Sequence, residues 1–434
     1  MKIFMLGWEF PPFISGGLGT ACYGLTRSMS KLGLEVTFVL PRDVGMDMRT
    51  THVKMRTPED ISEIERQQLE LGLENVKFRT IESPLRPYAS AESYKREVED
   101  LICAKQRRCG SVGIESVGDD SHHYCGDMYT EVHKYAAAAV KLAMQEDFDI
   151  IHAHDWMTYP AGMAVAAVTG KPLVVHVHST EFDRSGEHVN QMIYDIERAG
   201  MHAADKVIAV SFLTRNIIVG RYGISGDKVE VVYNGVERNG NGVNLGATGI
   251  KKDEKIVLFL GRITMQKGPE YFLGAAKKVL EVMDNVRFVM VGSGDMMRRT
   301  IELAAELGIG NKVLFTGFLR GEDVQKVYEM ADLYVMPSVS EPFGIAPLEA
   351  LNNDVPVLIS KQSGVSEVLT HVLKADFWDV NEIANKIVAV LKYSPLQMTL
   401  REHGNFEVRK LKWEDAAAKC LQIYNQLLSS AVCV

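Results

Sequence analysis

The stretch that decides the fold is Ser340-Glu341-Pro342-Phe343-Gly344-Ile345-Ala346-Pro347-Leu348-Glu349-Ala350, preceded by the apolar run Leu333-Tyr334-Val335-Met336-Pro337. The run reads as a buried parallel strand, Glu341 to Gly344 as the loop at its carboxyl end, and Pro347 as an early position of the next helix. In open α/β sheets, ligands collect at the carboxyl ends of strands. A helix amino terminus there offers N–H groups and partial positive charge to an anion such as a diphosphate. Glu341 and Glu349 lie eight residues apart, one in the loop and one in the helix, and both can be aimed into one cleft. Carboxylates beside an anion site repel the anion unless they face sugar hydroxyls, which they grip as acceptors. Together they point to a sugar nucleotide. Either acid taken alone is equally readable as a solvated surface residue.

Outward from this stretch, strand and helix patterns alternate along the chain, the signature of parallel sheets with crossover helices. Upstream, the strand Ile256-Val257-Leu258-Phe259-Leu260 leads into the loop Gly261-Arg262-Ile263-Thr264-Met265-Gln266-Lys267-Gly268 and a helix from Glu270. Arg262 and Lys267 thus sit where a helix amino terminus already favours anions, the first as a bidentate fork, the second as a point charge. Without the acids that follow, they would read as two solvated loop cations. Phe288 to Val291 is a further strand, ending in Gly292-Ser293-Gly294-Asp295.

The first half begins with a strand at residues 2 to 6, followed by a loop carrying Gly16-Gly17-Leu18-Gly19 and a helix over Ala21 to Leu32. The glycines let backbone N–H groups approach a ligand, and they serve a tight turn equally well. Two later strands end in histidines: Ile150-Ile151-His152-Ala153-His154-Asp155-Trp156, and Pro172 to Val177 followed by His178. His152 and His154 share one face of an alternating strand; His154, at the carboxyl edge, is the better candidate to line a site. Residues 58–127 lose periodicity and read as an insertion over the first domain rather than core. The Gly/Asn-rich segment 238–255 reads as a linker. The division is therefore a first domain over 1–237, a second over 256–395, and carboxyl-terminal helices over 396–434.

The composition bounds the function. At 434 residues, 46% apolar and 24% charged, the chain reads as a globular protein of two domains. A net charge of −8 without a basic run argues against nucleic acid or an anionic membrane as the main partner. Met1 to Leu6 is too short for a signal peptide or a span, and a cytoplasmic protein is expected. The six cysteines, Cys22, Cys103, Cys109, Cys125, Cys420 and Cys433, include no CxxC pair, which fits reduced thiols. His122-His123-x-Cys125 lies in a polar Gly/Ser/Asp segment and reads as a solvated loop before a metal site. Asp147-Phe148-Asp149 looks like a metal-binding DxD motif. It falls at the amino-terminal end of a strand, the wrong edge for a ligand, and is read as structural.

With these pieces in place the sequence resembles the retaining group 1 glycosyltransferases related to glycogen and starch synthases. Their GT-B fold has two facing Rossmann-like domains with a deep cleft between them. The resemblance rests on Gly261-Arg262 with Lys267-Gly268 and on Glu341-Pro342-Phe343-Gly344 with Glu349, supported by His154-Asp155-Trp156 and Gly16-Gly17-Leu18-Gly19. It implies that Arg262 and Lys267 hold the donor diphosphate, Glu341 the donor-sugar hydroxyls and Glu349 the ribose. Phe343, Gly344 and Ile345 are counted with the donor-binding residues. His154 would sit near the transferring sugar, and Gly16 and Gly17 near phosphates or acceptor. One departure is Ile14, where glycogen and starch synthases carry a lysine two positions before the glycine pair.

The function implied is transfer of a hexosyl group, glucosyl first, from a UDP- or ADP-sugar to a glucan or other sugar-containing acceptor, with no cofactor and no metal. Two other readings use the same architecture: a sugar-nucleotide 2-epimerase and a non-catalytic sugar-binding subunit. Closure of the two domains on the donor, aided by the carboxyl-terminal helix near Trp413, is a further expectation.

Overall fold

The structure is a computed structural model and describes residues 1–11, 16–41, 75–80, 128–237 and 254–431. It divides into two compact units, neither continuous in sequence. One comprises Met1–His176, Ile196–Lys206 and Tyr424–Val434; the other comprises Val177–Asp195 and Val207–Ile423. The boundary anticipated at 238–255 falls almost wholly outside the described residues.

In the first unit, β1 (Lys2–Leu6), β2 (Glu35–Leu40), β3 (Val76–Thr80), β4 (Ile150–His154) and β5 (Leu173–Val177) run in the order β3-β2-β1-β4-β5. All are parallel, with Ile3 opposite Val36 on one side and Ile150 on the other. A strand covered on both faces is apolar throughout rather than alternating, and Ile3, Phe4, Met5 and Leu6 are all buried. The start of β1 is held by the DxD-like acids. The Asp149 carboxylate accepts the Lys2 backbone N–H at 2.7 Å, and Asp147 pairs with the Lys2 ammonium at 2.9 Å.

β3 corrects the reading of 58–127 as an insertion outside the core. Val76-Lys77-Phe78-Arg79-Thr80 is a sheet strand in register with β2, from Val36 opposite Val76 to Leu40 opposite Thr80. Its five residues mix Val76 and Phe78 with the charged Lys77 and Arg79, so no continuous apolar run sets it apart from the charged stretches around it.

The second unit holds β6 (Lys206–Ala209, from Val207 onward) paired in parallel with β7 (Val229–Val231). Its larger sheet comprises β8 (Lys255–Leu260), β9 (Val286–Val291), β10 (Val313–Gly317), β11 (Leu333–Met336), β12 (Val357–Ser360) and β13 (Leu373–Ala375). The order is β10-β9-β8-β11-β12-β13, the doubly wound arrangement in which the winding reverses between β8 and β11. On one face lies a core of Val257, Phe259, Phe272, Phe288, Leu333 and Ile387, in which the Phe272 and Phe288 rings meet edge to face at 5.7 Å.

The carboxyl edge of this sheet is built by backbones in direct contact. Gly292 has φ 134°, and a Cβ there would lie 1.9 Å from the Gly261 carbonyl oxygen; a Cβ on Gly294 would lie 2.2 Å from that of Ile263. These glycines let the loops after β8 and β9 bond directly, the Ile263 N–H donating to the Ser293 carbonyl at 2.9 Å. A Gly292→Ala variant therefore combines backbone strain with a clash. It is expected to lose about 1–3 kcal/mol of stability, read as a lower denaturant midpoint at unchanged slope.

Candidate active site

The loops after β8 and β11 flank the reversal of strand order, and they carry the residues singled out in the second unit. After Leu260 the chain passes Gly261 and Arg262, makes one 3-10 turn over Met265–Lys267, and leaves it through Gly268 in the left-handed conformation, φ 66°. A Cβ at Gly268 would lie 2.2 Å from the Pro337 carbonyl oxygen, so this glycine presses the first loop against the end of β11. The contact places the Lys267 ammonium 2.5 Å from Glu341 Oε2. The Ser338 hydroxyl donates to the same carboxylate oxygen at 3.2 Å. Arg262, five residues before Lys267, donates to the Gln266 side-chain carbonyl at 3.2 Å.

Glu341 is buried, at 6% exposure, in a loop anchored on several sides. Its N–H donates to the Gln362 carbonyl at 3.0 Å, and the Pro342 carbonyl accepts the Ser211 hydroxyl at 2.6 Å and the Thr214 hydroxyl at 3.3 Å. The Ser340 hydroxyl donates to Asp183 Oδ1 at 2.5 Å. Gly344, φ 106°, then turns the chain into the helix Ile345–Asn352, and a Cβ there would crowd Glu341 Cγ at 3.3 Å. The Phe343 carbonyl accepts the Val365 N–H at 2.8 Å.

Glu349, on that helix, is partly buried and accepts a hydrogen bond from the Tyr328 hydroxyl at 3.1 Å. Burial raises its carboxyl pKa above the ordinary glutamate value, and the Tyr328 bond only partly offsets this. Burial also raises the Tyr334 phenol, and the negative charges of Glu341 and Glu349 both add to that rise. The Tyr334 hydroxyl donates to the Leu260 carbonyl at 3.2 Å, next to Gly261. Arg262, Lys267, Glu341 and Glu349 are thus assembled around the ends of two neighbouring strands.

Sequence reasoning missed the residues that hold this loop. Asp183 is both the anchor of Ser340 and half of a capping box with Thr180 on the short helix Glu181–Ser185. Thr180 and Asp183, three apart, are a recognisable capping pattern. Ser211 caps the helix Phe212–Tyr222, and Glu367 accepts the Phe212 and Leu213 N–H groups at that helix start at 2.9 and 2.7 Å. Nothing in the local sequence ties Ser211 to Pro342 or Glu367 to this helix.

The first unit carries Gly16, Gly17 and His154. Gly16 precedes the helix Gly17–Lys31, and its N–H donates to Glu9 Oε1 at 2.7 Å; a Cβ on Gly17 would meet nothing within 4 Å. His154 ends β4, fully buried, beside the equally buried His152 and His176. His178, just past β5, is kept neutral, burial pushing its pKa down to about 3. Cys22 and Cys420 are buried free thiols; the other four cysteines, His122, His123 and Ile14 lie outside the described residues.

Two family models match the chain: "Glycosyl transferases group 1" over residues 244–405 and "Glycosyltransferase Family 4" over residues 125–239. The first match spans Arg262, Lys267, Glu341 and Glu349; the second spans His154. Residues 244–405 form a group 1 glycosyltransferase domain. An uncharacterized glycosyltransferase of Methanocaldococcus jannaschii is 29% identical to it over 441 residues, covering 98% of both chains. Among solved structures, sucrose-phosphate synthase of Thermosynechococcus elongatus superposes with a TM-score of 0.68 at 20% identity, covering 99% of each. The Anabaena protein HepE, solved with UDP-glucose, superposes with a TM-score of 0.67 at 19% identity, covering 99% of this chain and 100% of its own. The fold is the two-domain α/β GT-B fold of these enzymes. Among the described residues of this glycosyltransferase, no helix is long and apolar enough to cross a membrane.

Because the folded state raises the Glu349 pKa, it binds more protons than the unfolded chain between the ordinary glutamate value and the raised one. Stability is therefore expected to fall as pH rises through that window. A Glu349→Gln variant should flatten this part of the stability–pH curve, measured by denaturant titrations at a series of mildly acidic pH values.

Proposed function

We propose that this glycosyltransferase moves a hexosyl group, glucosyl in the first instance, from a UDP- or ADP-sugar to a glucan or other sugar-containing acceptor. Transfer retains the anomeric configuration and uses no metal ion or other cofactor. The observation that carries the reading is the Lys267–Glu341 pair at the end of β11, with Arg262 in the same loop as the lysine.

A cation and a carboxylate that neutralise each other are suited to exchanging partners. On donor binding the diphosphate takes Lys267 and Arg262, and Glu341 is released to accept hydrogen bonds from the donor sugar. Glu349, one helix further on, accepts from the ribose. As the bond to the anomeric carbon breaks, negative charge grows on the leaving diphosphate. The two side-chain cations and the helix amino terminus at Phe343, Gly344 and Ile345 supply the stabilisation. His154 belongs near the transferring sugar, and Gly16 and Gly17 near phosphates or acceptor. The neighbour captured with UDP-glucose makes that donor the first to screen. Ile14, in place of a lysine, sets the chain apart from strict glycogen synthases and leaves the acceptor at the level of a sugar-containing class. No observation favours the epimerase or the non-catalytic reading over transfer.

The test is release of UDP or ADP from a panel of nucleotide sugars, with product analysis by a labelled donor. Glu341→Gln and Arg262→Ala are each expected to lower the rate by about 10²–10³, and chelator should leave the wild-type rate unchanged. Equal rates in the variants would overturn the site assignment. An epimerised nucleotide sugar with no glycoside formed would overturn the reaction.

A further inference from the structure

Among the described residues, the Glu349 carboxylate accepts a hydrogen bond from a single group, the Tyr328 hydroxyl, and that bond falls on Oε2. A carboxylate presents about four lone-pair sites, so most of its accepting capacity is left for other donors. Tyr328 is fixed to make the bond. It lies on the helix Glu322–Met330, 2% exposed, in the core with Leu348, Ala350 and Leu351, its ring 6.3 Å from that of Tyr334. Its hydroxyl reaches the Ala346 carbonyl at 3.2 Å as well as Glu349 Oε2 at 3.1 Å. Residues 346 and 349 are three apart on the helix Ile345–Asn352 and share a face, so one phenol spans both acceptors.

That phenol has one proton to give. With Glu349 ionised, the proton goes to the carboxylate, because a bond to a charged acceptor is the stronger one. With Glu349 protonated, the acid can donate to the phenol oxygen while the phenol donates to Ala346. The ionised form has no other support. Burial disfavours the charge on Glu349, the Tyr328 bond opposes that effect, and no cation contributes. The phenols nearby stay neutral. Burial, then the charge of Glu349, raises Tyr328 well above the ordinary tyrosine value, and burial, then Glu341 and Glu349, does the same to Tyr334.

We propose that Tyr328 is a positioning residue for ribose recognition: it orients the Glu349 carboxylate and keeps it an acceptor, so that Glu349 distinguishes a ribonucleotide from its 2′-deoxy counterpart. An ionised carboxylate can only accept, and a partner lacking the hydroxyl leaves it unmatched, which is the strongest form of rejection a polar site has. The proposal rests on the reading of Glu349 as the ribose contact and adds the residue through which that contact is set.

The experiment measures binding of UDP, ADP and their 2′-deoxy counterparts to the full chain by calorimetry. The wild type is expected to prefer the ribonucleotide about tenfold, the size of one hydrogen bond to a charged group. Tyr328→Phe keeps the ring and its packing. It is expected to remove most of that preference at neutral pH and to raise the midpoint at which Glu349 protonates, read from the carbonyl infrared band that is absent in Glu349→Gln. An unchanged preference or an unchanged midpoint overturns the proposal. So does a loss of UDP affinity on Tyr328→Phe that is equally large in the Glu349→Gln background, the mark of a purely structural role. Should the Tyr328→Phe chain fail to fold, the wild-type pH series decides: the preference is expected to fall as pH falls and Glu349 takes up its proton, and a constant preference across the mildly acidic range is the overturning result. A wild-type chain that binds neither UDP nor ADP overturns the donor reading and this proposal with it, whereas UDP bound without preference for ribose overturns this proposal and leaves the donor site standing.

Discussion

The constraint on which the second unit depends is the close approach of backbones at the carboxyl edge of its sheet. Gly268 against the Pro337 carbonyl, Gly292 against that of Gly261 and Gly294 against that of Ile263 leave no room for a side chain. Because these loops touch main chain to main chain, Lys267 from one strand end reaches Glu341 from the next. A larger residue at any of the three would separate the loops before it affected any functional group. The doubly wound strand order creates a site at the β8/β11 reversal, and the glycines set how tightly it is drawn together.

The architecture was largely legible in the sequence, since parallel strands covered on both faces leave short, wholly apolar runs that stand out between helices. β11 is of that kind throughout, and β1 and β8 are after their leading lysines. The strand that was not legible, β3, lies at the edge of its sheet and keeps the charged Lys77 and Arg79. Two helices also escaped notice, for opposite reasons. Tyr159–Thr169 is small and apolar on every side, with Gly162 packed against Leu173 and Ala153, so no polar face marks it. Val380–Lys392 follows a stretch with no motif to draw attention to it.

The candidate site shows the same division. Arg262, Lys267, Glu341 and Glu349 stand out in the sequence as candidates because a sugar-nucleotide site calls for those residue types beside a glycine turn. Asp183, Ser211, Thr214 and Glu367 could not, because each acts across more than 120 residues of chain on a carbonyl, a hydroxyl or an amide. Their side chains are ordinary helix-capping types, and only the tertiary structure gives them a second partner. The histidine row is intermediate. The pair on β4 is visible as alternation, whereas the third member depends on which strand lies alongside and in what register.

The anchoring of the Glu341 loop has a consequence for the entropy of ligand binding. Ser340 is tied to Asp183, Pro342 to Ser211 and Thr214, and Glu341 to the Gln362 carbonyl, so the carboxylate is ordered before any ligand arrives. Lys267 is joined to the same site by a four-carbon stem whose rotamer freedom is worth about 2 kcal/mol. The two members of the pair are thus unequal: the acid is a fixed reference point and the cation a movable arm. In the transfer proposed above, recognition of the incoming anion would fall to the arm, and the fixed point would set the geometry in which the neutral polyhydroxyl group is read. Selectivity for the shape of the transferred group would thereby be separated from affinity for the charged part that carries it.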